Sequence, residues 1–569
     1  MRLSITHTKN NTYFYMIKSY RNNGKNTTKI IECLGNIDEV KQKSNGQDPI
    51  EWAKKYIEKR TEEEKEGKGI YFEKLIESAP LDDKQKVFNC GYLFLQDIYY
   101  NLGLDKICKK ISKNYKIKYD LNSVLSNLIY TRIIEPTSKL SSLEVAKKLI
   151  EQPNYELQNI YRALEIISKE TDYIESEVYK NSLKVIKRNT KILYYDCTNY
   201  FFEIEQAEGL KQYGVSKENR PNPIVQMGLF LDGDGYPLAL NINSENTNEQ
   251  ITLTSTEEQI IKDFKFSEFV VCTDAGLASI ANRKFNAIQN RSYIVTQSLK
   301  KIKGPLKDWA LSPEGWHKIN SKKEINLNDI DKSSSNEEIY YKERWINENG
   351  LEQRLIVSYS SKYAAYQKNI RAKQIERAQN MILNPTSISK KRQDDPKRFI
   401  TTTSITKDGE IAENKLLTLN MKKIENEEIY DGFYAVCTTL EDDIESIIKI
   451  NKRRWEIEES FRILKTDFKA RPVYLKRDDR IKAHFTTCFL SLLIYRILEH
   501  KLEEKYTSSE IIETIRNMNS LKIDGLGYKQ IYSKSLITDN LCQTFNMNLD
   551  QQFISNNNFK KFFKDSKKS

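Results

Sequence analysis

Lys191 to Ile204 reads KILYYDCTNYFFEI and sets an aspartate in the middle of a β-branched and aromatic run. Such residues pack well on a pleated surface, whereas aspartate is depleted from strands. A carboxylate carried into a buried strand needs a hydrogen bond, a charged partner or a metal. Asp196 is therefore a candidate functional residue; the alternative is an edge strand that turns it to water. The β pattern continues over Ile224 to Leu231 and Tyr236 to Ile242, either side of the turn Asp232-Gly233-Asp234-Gly235. A helical stretch follows at Glu249 to Phe264. Then come an apolar strand at Glu268 to Thr273, a helix near Leu277 to Ile288 and a strand at Ser292 to Thr296. The order is β-β-β-α-β-α-β.

A three-strand meander entering a β-α-β run is, at the level of fold analogy, the RNase H-like arrangement. Residues 1–40 read as short strands. The Asn23-Gly24 turn between TYFYMIKSY and Thr27 to Leu34 is a hairpin signal. Residues 40–85 are charged and helical in pattern, and 87–190 repeat helical periodicity, as in Leu121 to Ile134, Leu143 to Ile150 and Leu157 to Ile167. From 300 to about 428 the chain is polar and mixed, with β pattern at Ile339 to Trp345 and Leu351 to Ser358. Gly432 to Thr439 is strand-like, Asp442 to Phe468 reads as one long helix, and the remainder is mostly helical, including Phe485 to Leu498, with a Lys-rich end expected to be disordered.

The resulting division is an N-terminal β-hairpin and charged helix (1–85), a helical segment (86–190), an α/β core in two parts (191–299 and 429–470), a β-rich insertion (300–428) and a C-terminal helical region (471–569).

The 569 residues carry a net charge of +12, with pI near 8.9, which fits an acidic polymer such as nucleic acid as partner. The eight cysteines are scattered and form no C-x-x-C pair, so zinc-finger spacing is absent and reduced core cysteines are expected. No apolar run approaches the roughly 18 residues of a membrane span. MRLSITHTKN lacks a signal-peptide core, so a cytoplasmic protein with no membrane partner is expected.

Asp274 directly follows the strand Phe269-Val270-Val271-Cys272-Thr273. It reads either as a functional carboxylate at a strand's C-terminal end or as the N-cap of the next helix. In NKRRWEIEESFRILK, at about 100° per residue, Arg454, Glu458 and Lys465 fall within about 40° of one another on a helix. The same stretch also reads as surface ion pairs at four-residue spacing among Arg454, Glu458 and Arg462. Taken together, three acids on a first strand, a fourth strand and a late helix can converge at one end of such a sheet. Two divalent ions about 4 Å apart favour carboxylate oxygens, and nearby Arg and Lys can hold phosphates. With four histidines and no cysteine cluster, zinc is disfavoured.

Asn451-x2-Arg454-x3-Glu458-x6-Lys465 resembles the Y-x2-R-x3-E-x6-K signature of the large DDE transposases related to insertion sequence 4. Asp196 in YYDCTNYFFE resembles their first Asp motif and Asp274 in VVCTDAGLAS their second, with spacings of 78 and 184 residues between the three acids. SYRNNGK, YGVSKENRPNP (213–223) and RPVYLKRDDRIKAHF (471–485) are similar to the insertion sequence 1634 subgroup, so the resemblance spans nearly the whole chain.

It implies a catalytic, metal-binding triad of Asp196, Asp274 and Glu458 with two Mg²⁺ or Mn²⁺ ions. It further implies cleavage of double-stranded DNA at terminal inverted repeats, with water as the first nucleophile, then attack of the freed 3′-hydroxyl on target DNA by a homodimer on paired ends. Arg454, Lys465, Asn451, Lys217 and Arg220 are the implied DNA-phosphate contacts; Ser216, Lys217 and Arg220 also read as a simple basic loop. The family's tyrosine is Asn451 here, so the hairpin-forming version of the reaction is not implied, although asparagine can hydrogen-bond a phosphate.

Trp309, Trp316 and Trp345 lie where relatives place an aromatic that stacks on a base; each also reads as a core residue. His484 reads as structural. Two rival readings share these features: a host endonuclease of the same fold, and a decayed copy that only binds DNA.

Overall fold

The computed structural model describes residues 1–7, 11–22, 25–66, 85–214, 221–244, 247–319, 321, 323–330, 337–383, 395–403 and 416–568. Two compact units emerge, 1–84 and 85–569. In the first, β1 (Arg2–His7), β2 (Thr12–Asn22) and β3 (Lys25–Asn36) form an antiparallel meander. Asn36 and Glu39 close a capping box that starts the helix Ile37–Lys43. With the helix Pro49–Glu66, the sheet buries Phe14, Met16, Leu34, Val40, Ala53 and Ile57. The turn residues Asn23 and Gly24 lie outside the described residues.

The second unit begins with β4 (Val87–Asn89) and centres on a ten-stranded sheet. Its strands are β5 (Ile192–Phe201), β6 (Ile224–Asp232), β7 (Pro237–Ser244), β8 (Glu268–Thr273), β9 (Asn290–Thr296), β10 (Trp316–Lys318), β11 (Glu324–Ile325), β12 (Tyr340–Glu348), β13 (Leu351–Tyr359) and, after the small pair β14 (Ile400–Thr403) and β15 (Leu416–Leu419), β16 (Phe433–Thr438). The order across the sheet is β11-β10-β12-β13-β16-β9-β8-β5-β6-β7. β5, β6 and β7 pair antiparallel, and β5, β8 and β9 pair parallel. One expectation changes. The insertion's strands extend the main sheet through β13 and β16, and the insertion, expected to be β-rich, also carries the 23-residue helix Ser361–Leu383.

β6 is buried along its whole length because helices cover both faces of the sheet. One face of β5 and β8 presents Leu193, Tyr195, Cys197 and Val271 to the helix Glu249–Phe264. The other presents Tyr194, Tyr200 and Cys272 to a large core shared by the helices of 92–185 and 444–545. The helical segments expected on either side of the core therefore pack together, around the helix Asp478–Lys501. β17 (Asn519–Ile523), β18 (Gly527–Gln530) and β19 (Phe553–Ser555) join β4 in a second sheet that ties the two segments further. Asp478–Lys501 is long and apolar enough to cross a membrane, but 94 % of its apolar window is buried in the protein. The Lys-rich end, expected to be disordered, forms the helix Asn556–Asp565 with Phe559 buried.

Gly228 faces Cys197 across β5 and β6, where a Cβ would lie 2.2 Å from the Tyr195 hydroxyl, so only glycine fits. The start of β5 is pinned by a fully buried ion pair, in which Arg188 Nε donates to Asp232 Oδ2 at 2.5 Å. The same guanidinium bonds the carbonyls of Tyr236 and Pro237, while Asp232 Oδ1 accepts the N–H groups of Asp234 and Tyr236. Asp232 is thus both a turn residue and a buried counter-ion. Removing one partner strands the other charge, so Arg188→Ala should cost about 3–5 kcal/mol. Urea unfolding should show the loss, with Arg188→Lys intermediate because the charge stays but the planar fork is gone.

Candidate active site

The parallel register of β5 and β8 pairs Ile192 with Val270, Leu193 with Val271 and Tyr194 with Cys272, a constant offset of 78 residues. Asp196 and Asp274 are separated by the same 78 residues. Asp274 stands one residue past the end of β8, and the same offset carried two residues further would set the two carboxylates level, on the face that bears Tyr194 and Cys272. Asp196 Oδ1 accepts the Cys197 N–H at 2.7 Å. Asp274 Oδ1 accepts the N–H groups of Gly276 and Leu277, and Gly276 leaves room beside it. Asp274 caps this turn, while the N-cap of the next helix, Ile280–Phe285, is Ser279.

The segment 444–467 lies over that face. Tyr194 donates to the Ile450 carbonyl at 3.0 Å, Cys272 Sγ approaches Asn451 Oδ1 at 3.8 Å, and Lys465 Nζ donates to Thr198 Oγ1 at 2.6 Å. It is not the single helix expected. A helix Ile444–Lys452 ends at Arg453 and Arg454, where bonds tighten to i→i+3. A second helix, Trp455–Arg462, opens into a π turn at Ile463–Asp467 that carries Lys465. A π turn inside a helix is frequent at functional sites.

The three neighbouring glutamates separate by environment. Glu456 is buried and faces Arg496 at 3.8 Å and Arg453 at 3.6 Å; burial raises its pKa. Glu459 is locked to Arg462 by two bonds of 2.7 and 2.6 Å, which lower its pKa. Glu458 is 64 % exposed and meets Arg454 at only 3.8 Å. Burial opposes the charge on Arg454, yet attraction to Tyr434, Cys272, Glu458 and Asp196 leaves its pKa above the usual value. The Arg454 guanidinium thus feels both Glu458 and Asp196. Among the described residues, no three of His, Cys, Asp and Glu gather closely enough to hold one metal ion.

Residues 205–494 match the family model of the transposase DDE domain, 290 residues and just over half of the chain. The chain belongs to the DDE transposases. Residues 3–70 match the IS1634 family transposase N-terminal domain, which makes it an insertion-sequence transposase. Asp274 and Glu458 fall inside the DDE match, and Asp196 stands nine residues before it. No curated protein matches the chain. Among solved structures, a piggyBac transposase synaptic complex with hairpin DNA is similar at 8 % identity over 84 % of each chain, with a TM-score of 0.35. A Mos1 transposase paired-end complex with left transposon end is similar at 14 % identity over 42 % of this chain and 66 % of that one, with a TM-score of 0.14.

Other residues of the transposase divide clearly. Ser216, Lys217 and Arg220 lie outside the described residues. Trp316 is fully buried, its indole N–H donating to the Ser312 carbonyl, so it is a core residue. Trp309 is half-buried beneath Lys342 and Arg344, and Trp345 is exposed. His484 is buried, its Nε2 3.2 Å from the Ala470 carbonyl, and burial holds its pKa well below the usual value. Two residues were not singled out from sequence. Tyr434 acts on Arg454 and shares a cavity wall with Asn451, and Trp455 is exposed on the helix of Glu458. Both were hidden because aromatics in an apolar strand and beside a charge run read as packing.

Glu458→Ala should shift stability by less than about 0.5 kcal/mol, since an exposed pair contributes little. Glu456→Ala, which strips Arg496 and Arg453 of a partner, should lower the thermal midpoint clearly. Melting curves of the two variants check the distinction.

Proposed function

We propose that this transposase cuts double-stranded DNA at the terminal inverted repeats of its element and joins the freed 3′-hydroxyl to target DNA, using Asp196, Asp274 and Glu458 on an RNase H-like core. The observation that carries the proposal is the 78-residue offset common to the β5–β8 register and to Asp196 and Asp274, with Lys465 of the segment above donating to Thr198 on the same strand. The order β7-β6-β5-β8-β9, antiparallel then parallel, supports the RNase H-like reading.

The donor set is all carboxylate oxygen, which suits Mg²⁺ or Mn²⁺. Two such ions, held by these three residues, would activate the attacking oxygen and neutralise charge on the leaving 3′ oxygen. Arg454 and Lys465 have the charge to hold the scissile phosphate against the carboxylates, and Asn451 can add a hydrogen bond. Lys217 and Arg220 remain proposed contacts to flanking phosphates. The N-terminal unit and the helices of 86–190 are assigned to recognition of the element ends, and a homodimer on paired ends to the assembled complex. Its place is the cytoplasm, at the nucleoid, with no membrane partner.

On a labelled duplex carrying the flanking repeat, with Mg²⁺, wild type should nick at the repeat end. Asp196→Ala, Asp274→Ala and Glu458→Ala should each lose roughly 10³-fold or more in rate while keeping DNA affinity. Activity surviving in Glu458→Ala alone would move the third role to another glutamate, and specific binding without cleavage by wild type would mark a copy that only binds. Exchanging residues 1–190 with those of a relative should carry end preference with them; preference that stays behind overturns the recognition assignment.

A further inference from the structure

A second cluster of cations lies apart from the acidic face. A cavity of about 500 Å³ is lined by Arg132, Lys139, Lys469, Arg471 and His484, together with the first turn of the helix Lys139–Ala146. Lys139 keeps only 6 % of its surface exposed, and its Nζ has no hydrogen-bond partner among the described residues. Arg132, 5 % exposed, fixes the cavity floor by donating to the carbonyls of Phe468 and Thr137, while its Nε has no partner among the described residues. Arg471 stands over the ring of Phe201. Among the described residues, the groups that act on Lys139, Arg132 and His484 are one another, Cys488 and the Ala470 backbone, none of them a carboxylate. Burial, with Arg132 beside it, brings the Lys139 pKa down to about 7.

An unpaired buried charge costs several kcal/mol, a cost that a lysine escapes by losing its proton or by meeting an anion. Helix N-termini carry partial positive charge and accept anions, here with Ser138 as N-cap. The wall 469–475 directly follows the π turn of Lys465, and the Val473 N–H donates to the carbonyl of Phe201 at the end of β5. Phe201 lies five residues beyond Asp196 on the same strand, roughly 17 Å at about 3.3 Å per residue. A duplex seated on the acidic face therefore has phosphates within reach of the cavity.

We propose that this cavity is an anion site that takes one phosphate group of a DNA strand, a few nucleotides from the phosphate being cut. It rests on the DNA-cleaving reading only for the source of the phosphate. A free phosphate ion offers the same chemistry, so the test separates the two.

Thermal unfolding of the full chain is measured with inorganic phosphate against chloride at equal ionic strength, for wild type, Lys139→Met and Asp274→Ala. Wild type and Asp274→Ala should melt higher in phosphate. Lys139→Met should melt at or above wild type without phosphate and lose the phosphate response. Binding to repeat duplex should then weaken about tenfold in Lys139→Met, with the slope of log affinity against log salt reduced by about one. Should Lys139→Met fail to fold, Arg471→Gln on the cavity wall should show a weaker phosphate response and the same reduced slope. A phosphate response unchanged in Lys139→Met, or absent in wild type, overturns the site. A lost response with unchanged DNA affinity and slope overturns the strand as its source. Asp274→Ala that binds phosphate but does not cleave keeps this site separate from the metal-site proposal.

Discussion

Parallel pairing of β5 with β8 is the constraint on which the site depends. Side chains alternate along a strand, so a slip of one residue would turn Asp196 to the opposite face, among Tyr195 and Cys197. That slip is blocked by bulk on both sides. Leu193, Tyr195 and Val271 pack against the helix Glu249–Phe264, and Tyr194 and Cys272 against the opposite core. The Arg188–Asp232 pair anchors the same strand at its beginning. The register that leads to Asp196 and Asp274 is thereby held by apolar packing that has no chemistry of its own.

The helix above the sheet answers a different requirement. A straight helix would carry Asn451, Arg454, Glu458 and Lys465 round a regular spiral. The break at Arg453 and Arg454 and the π turn at Ile463–Asp467 change its phase twice, and Lys465 ends on Thr198 while Arg454 meets Glu458. The flanking glutamates hold this shape: Glu456 ties the helix to Arg496, and Glu459 fixes Arg462. Glu458, between them, is left facing outward.

Much of this was legible in the sequence where one residue's environment is set by its near neighbours. Glu249–Phe264 and Glu268–Thr273 could be read to the residue, because their patterns are strong and bounded by turn residues. The spacing of Asp196 and Asp274 was legible as a motif, but its identity with the β5–β8 offset was not, since strand register is a property of two distant segments. The helix Ser361–Leu383 escaped notice because only Ser361, Arg371 and Ala378 are buried along it, leaving no apolar stripe to read. The union of 92–185 with 444–545 in one core was also invisible, as each segment shows an apolar face without naming what covers it.

The distribution of charge extends the same point. Net charge read from composition says only that the chain favours an acidic partner. The fold places that charge unevenly: Arg188, Arg496 and Arg462 are matched by carboxylates and serve the framework. Arg132 and Lys139 are buried without any among the described residues, beside the segment that follows Lys465. Matched cations stabilise the scaffold whether or not DNA is present. Unmatched ones lower its stability until an anion arrives, and so convert part of the folding free energy into affinity for phosphate. An enzyme that must hold a polyanion against its own acidic triad needs positive charge near the triad yet not neutralised by it. Seating that charge across the end of β5, behind the helix Lys139–Ala146, meets both conditions.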